Sequence, residues 1–84
     1  MFADRIIEFG MRFKGRLNAD LLQGALDYVA YNEESLAFEI LCDYIWEYDV
    51  PITLEEYNEA VLLIQDIGLD LGESPFSHLL ELQK

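Results

Sequence analysis

The sequence predicts an all-α protein, a small bundle of four to five helices forming one domain over residues 1–84. Three observations lead there. Apolar residues recur with a 3.6-residue period along most of the chain, with no convincing strand-like alternation. The 84 residues leave room for one hydrophobic core. Hydrophobic residues make up 52% and aromatics 13%, apolar surface that disordered acidic chains lack.

The first helix is predicted from Ala3 to Lys14, with Phe2, Ile6, Phe9 and Phe13 on one stripe and Gly15 as its stop. Asn18 is a good N-cap for a second helix, Ala19 to Tyr31. Its apolar stripe is Leu21, Leu22, Ala25, Leu26 and Val29, while Asp20, Gln23 and Asp27 face out. Gly24 interrupts this helix at a propensity cost and is read as a point of close packing. The third helix, Glu33 to Tyr48, is apolar round most of its circumference and so is placed centrally. Leu36, Ala37, Ile40, Leu41, Tyr44, Ile45 and Tyr48 form its main stripe, and Phe38, Cys42 and Trp46 flank it. Pro51 is expected to end it, because the residue before a proline is pushed out of the helical region.

Thr53-Leu54-Glu55-Glu56 is a capping box opening a fourth helix, and Ile52 and Tyr57 sit where a hydrophobic staple would place them. Leu54, Tyr57, Val61, Ile64 and Ile67 are predicted inward, with Glu55, Glu59, Leu62 and Asp66 on the other side. Gly68 fits the C-cap. A loop through Gly72, Ser74 and Pro75 leads to a short helix from Phe76 to Leu82.

Charge is distributed unevenly. The formal net charge is −12, and four of the five basic residues fall within the first sixteen positions. From Leu17 to Gln83 there is no Lys or Arg, against fifteen carboxylates. Such a chain lacks the basic footprint needed to bind nucleic-acid phosphates directly. High charge favours solubility, yet solubility does not require excluding lysine, and self-repulsion costs stability. The pattern therefore suggests a face made to meet a basic partner. No apolar run approaches the ~18 residues of a membrane span. Glu8 and Arg12 interrupt the N-terminal apolar stretch and no small-residue cleavage site follows, so a cytoplasmic protein is expected.

Catalytic signals are weak. His78, the sole histidine, has Ser74 and Ser77 nearby, but sequence adjacency is not triad geometry. One Cys and one His cannot build a structural zinc site, and Cys42 lies in the most apolar helix. Asp66, Asp70 and Glu73 match a calcium loop poorly, and no phosphate-binding glycine loop occurs. Neither an enzyme nor a cofactor or metal is expected. Glu34-Ser35-Leu36 resembles the phosphopantetheine motif of acyl carrier proteins, which makes a carrier with Ser35 as attachment site the alternative. Tyr31-Asn32-Glu33 stands where carriers have Leu-Gly, however, and a strongly amphipathic helix replaces their long first loop.

Leu26 to Tyr44 includes Asn32-Glu33-Glu34-Ser35-Leu36-Ala37-Phe38-Glu39-Ile40-Leu41-Cys42-Asp43. After it come the turn Glu47-Tyr48-Asp49-Val50-Pro51-Ile52, the helix start Glu55-Glu56-Tyr57 and the ending Gly68-Leu69-Asp70. This succession, spanning residues 20 to 70, resembles the MafI-type bacterial immunity proteins. The resemblance implies a helical cytoplasmic inhibitor of a polymorphic toxin. The toxin would be the C-terminal nuclease domain of a secreted or contact-delivered protein.

The charge pattern and the resemblance point the same way, since a nuclease presents a basic cleft that an acidic face can occupy. The acidic candidates are Glu39, Asp43, Glu47 and Asp49, then Glu55, Glu59 and Asp66. Glu39, Asp43 and Glu47, spaced i, i+4, i+8, form one ladder, although a solvated face of a central helix would have the same pattern. Tyr44, Trp46 and Tyr48 are the aromatic anchor candidates, each of a type also common in cores.

Overall fold

The structure, a computed structural model, describes residues 2–83 and is all-helical over them, with no strand among the described residues. Five α-helices follow in order: α1 (Ala3–Met11), α2 (Ala19–Ala30), α3 (Glu34–Glu47), α4 (Leu54–Ile67) and α5 (Leu79–Leu82). A 3₁₀ turn, Phe76–His78, leads directly into α5, so the predicted C-terminal helix is split in two.

Local chemistry sets most helix ends. The side chain of Asn18 accepts hydrogen bonds from the backbone N–H groups of Asp20 (2.8 Å) and Leu21 (3.2 Å), capping α2. In the capping box of α4, Thr53 Oγ1 accepts from the N–H of Glu56 at 3.0 Å, while Thr53 N–H donates to Glu56 Oε1 at 2.9 Å. The first helix stops at Met11, three residues earlier than predicted. Arg12, Phe13 and Lys14 donate to carbonyls only three residues back, which tightens the chain into a turn that still buries Phe13.

Helices α2, α3 and α4 all end in the same C-terminal motif. Asn32 (φ 60°), Asp49 (φ 50°) and Gly68 (φ 92°) take the left-handed conformation. The next residue's N–H then reaches back five positions, Glu33 to Tyr28, Val50 to Ile45 and Leu69 to Ile64, at 2.9–3.0 Å. Thus α3 is ended by Asp49, with Pro51 two residues beyond it.

The core is built on a row of four phenylalanines. Phe13 meets Phe9 edge-on (5.2 Å between centroids), Phe9 meets Phe38 (5.8 Å), and Phe38 stacks on Phe76 (5.8 Å). The row joins α1, α3 and the 3₁₀ turn. Helix α2 packs mainly on α3, burying Leu22, Ala25 and Leu26 as predicted. The backbone N–H of Ile52 donates to the carbonyl of Leu82 (3.1 Å), which fastens α5 beside the start of α4.

Two helix faces differ from prediction. On α3, Phe38 and Cys42 are fully buried, whereas Leu36 and Tyr48 are exposed. The helix has elements on two sides, so its buried arc centres on Ala37, Phe38, Leu41, Cys42 and Ile45 rather than on one stripe. On α4 the buried residues are Glu56, Ala60, Leu63 and Ile64, while Leu54 is exposed. The capping glutamate points inward to an arginine, which turns the helix away from the face its apolar residues suggested.

The close-packing glycine is Gly10, whose added Cβ would lie 3.0 Å from Leu26 Cδ2; a Cβ at Gly24 would meet open space. Glycine exchanges should therefore have opposite signs. Gly24→Ala is expected to stabilise by about 0.5–1 kcal/mol, because it removes a helix-interior glycine without a clash. Gly68→Ala is expected to cost about 1–2 kcal/mol, because alanine is strained in the left-handed region. Urea denaturation of the two variants checks this, and a loss of stability in Gly24→Ala would contradict it.

Candidate partner interface

The seven acidic candidates fall into two groups that the linear sequence does not distinguish. On α4, the Arg5 guanidinium lies 2.9 Å from Asp66. Arg12 reaches Glu59 at 3.1 Å and Glu55 at 3.6 Å. Arg16 grips the buried Glu56 with two hydrogen bonds, of 2.9 and 2.6 Å. The N-terminal arginines thus neutralise the carboxylates of α4 from within the molecule. Glu55, Glu59 and Asp66 are consequently less free to meet an outside cation than their position in the sequence suggested.

The second group keeps its charge. Glu39, Asp43 and Glu47 are exposed along α3, and among the described residues no cation lies within ion-pair distance of them. Residues four apart on a helix sit one above another, so the three carboxylates form a continuous negative edge. Asp49 adds an exposed carboxylate at the left-handed turn below them. Directly behind the ladder, burial pushes the Cys42 thiol well above its ordinary range, and the Asp43 and Glu39 charges push it further. It is a packing residue with little thiolate character.

The aromatic candidates are divided by the helix geometry. Tyr44 is half-buried against the core and lies 6.4 Å from the ring of Tyr48. Tyr48 is 55% exposed and borders a shallow recess with Arg16, Leu17, Asn18 and Leu21. Trp46 lies on the other side of Glu47. One face of its indole is covered by the His78 imidazole, parallel within 6° at 3.9 Å between centroids. With Asp43 and Glu47 it lines a second open recess. His78 therefore acts as a stacking partner, which its sequence position gave no means of predicting. Its Nδ1 lies 3.6 Å from Glu81 Oε1. Ser35 is exposed in the first turn of α3.

Among the described residues no group of three His, Cys, Asp or Glu side chains could hold a metal ion. None of the helices described is long and apolar enough to cross a membrane. Comparison with protein-family models, curated proteins and solved structures finds no match. The face consists of an acidic edge with no cation paired to it among the described residues, and an aromatic ring at its lower end. Its chemistry suits electrostatic recognition of a basic surface.

Proposed function

We propose that this protein is a cytoplasmic immunity protein that binds and neutralises a basic toxin domain, of the nuclease class, through the acidic edge of α3. The observation carrying this reading is the contrast between the two acidic helices. The carboxylates of α4 have arginine partners, whereas Glu39, Asp43 and Glu47 have none among the described residues. Maintaining such an edge on a molecule of net charge −12 costs stability through self-repulsion. A basic partner offsets that cost on binding. The resemblance of residues 20 to 70 to MafI-type immunity proteins supports the same reading and supplies the nuclease class. Long-range attraction would accelerate encounter, while desolvated charge pairs, coupling by roughly 1.5–7 kcal/mol, would slow release.

The test compares two double reversals of equal charge change. Glu39→Lys with Asp43→Lys alters the free edge, and Asp20→Lys with Asp27→Lys alters exposed positions of α2. Both should leave the core intact. The α3 pair is expected to weaken binding at least about tenfold more than the α2 pair. Growth rescue of cells expressing a candidate nuclease toxin domain reads protection, and circular dichroism verifies folding. For the wild type, the association rate should fall with rising salt. Equal losses for the two pairs would refute the site, and a salt-independent rate would refute steering.

A further inference from the structure

Trp46 is the chain's single tryptophan, and it is neither fully core nor free on the surface. Its indole is backed by the parallel imidazole of His78, yet 38% of the residue remains exposed. Asp43 precedes it by one helical turn and Glu47 follows it, and the three line one open recess. A supported ring has already lost much of its rotational freedom, so a group docking on it meets little further ordering cost. The remaining specification is chemical: an electron-rich ring beside two carboxylates suits a flat cation. A guanidinium satisfies both, because it stacks on aromatic faces and presents a fork of N–H donors to carboxylates. An ammonium has the charge but neither the plane nor the fork. A second copy of this chain is a poor occupant, since each carries a net charge of −12.

We propose that Asp43, Trp46 and Glu47 form the seat for an arginine side chain of the basic partner, with the guanidinium laid on the open side of the indole. This inference rests on the inhibitor reading and assigns its anchor. The probes are hexaarginine and hexalysine peptides at low ionic strength, followed through the emission of Trp46 and by calorimetry. Hexaarginine is expected to bind about two- to fivefold more tightly than hexalysine and to change the emission of Trp46. Asp43→Asn with Glu47→Gln should weaken both peptides and reduce the preference to the part that stacking supplies. Trp46→Leu should remove the stacking part of the preference and leave only the part due to the carboxylates. Trp46→Phe, which keeps a ring against His78, should retain some of the stacking part even if the leucine variant proves unstable. Equal affinity of the two peptides for the wild type, or a preference undiminished in Trp46→Leu, overturns the proposal. Loss of protection on reversing Glu39 and Asp43, without any arginine preference, would remove only the arginine seat. Full protection by that reversed variant would instead remove the inhibitor reading itself.

Discussion

Replacing Phe38 with alanine is expected to cost about 3–5 kcal/mol, the loss that truncating a fully buried aromatic ring brings. Phe38 is fully buried and stands at the middle of the phenylalanine row, in contact with Phe9 of α1 and Phe76 of the 3₁₀ turn. Its ring is therefore shared by three elements, and truncation leaves a cavity that no single neighbour can close. Small domains have only about 5–15 kcal/mol of stability in all, so the alanine variant should be largely unfolded or loosely packed. Leu36→Ala is the matched control, on the same helix but exposed at 38%, and should cost less than about 1 kcal/mol. Urea denaturation followed by circular dichroism measures both. If the two variants lose similar stability, the core does not centre on Phe38.

The elements were legible where the signal is local. Asn18, Thr53-Glu56 and Gly68 fix their helix ends within four residues, and each does in the structure what its pattern announces. The stripes of α1 and α2 could also be read, because each helix has one buried face. The angular setting of α3 could not. With Phe38, Cys42, Leu36 and Tyr48 all apolar, periodicity offers several buried arcs, and only the positions of α1 and α2 select among them. The setting of α4 was hidden for another reason. Glu56 is a capping residue whose charge also belongs to Arg16, forty positions away.

The candidate site follows the same division. The ladder of Glu39, Asp43 and Glu47 is an intrahelical fact and was visible. The Trp46–His78 stack joins residues 32 apart through the tertiary fold, and nothing local marks it. The pairing of α1 with α4 did leave a trace. Arg5 and Arg12 have the same seven-residue spacing as Glu59 and Asp66, and the structure pairs them in reverse order, as antiparallel helices require. Matching those intervals would have separated the internally neutralised carboxylates from the free ones.

Breaking the Arg16–Glu56 pair is the second large effect expected, about 2–3 kcal/mol for Arg16→Ala. Removing one partner of a buried pair costs 3–5 kcal/mol, and the partial exposure of Arg16 reduces this. Glu56 itself is only 4% exposed, and without the guanidinium its carboxylate would be left buried beside the Thr53 cap. Arg16 also stacks over Phe13 at 4.6 Å and donates to the carbonyls of Pro51 and Arg12, so it ties the end of α1 to the start of α4. Lysine cannot reproduce the two-pronged grip, and Arg16→Lys should lose most of the same stability. The pair has a pH signature as well. The hydrogen bonds from Arg16, opposed by burial and aided by Thr53, hold the Glu56 carboxyl below its ordinary value of 4.5. The unfolded chain therefore takes up this proton first as the solution is acidified. The stabilisation is present in full above the ordinary glutamate range and is lost as pH falls through the lowered folded-state value. Acidification also relieves the general repulsion among carboxylates, so the stability of the wild type alone would mix two opposite trends. Glu56→Gln separates them, because it keeps the shape and the surrounding charge but cannot titrate. The stability difference between wild type and Glu56→Gln should be largest near neutral pH and shrink as Glu56 becomes protonated in strong acid. A difference that stays constant across that range would mean that the charge of Glu56 contributes nothing to holding α1 on α4.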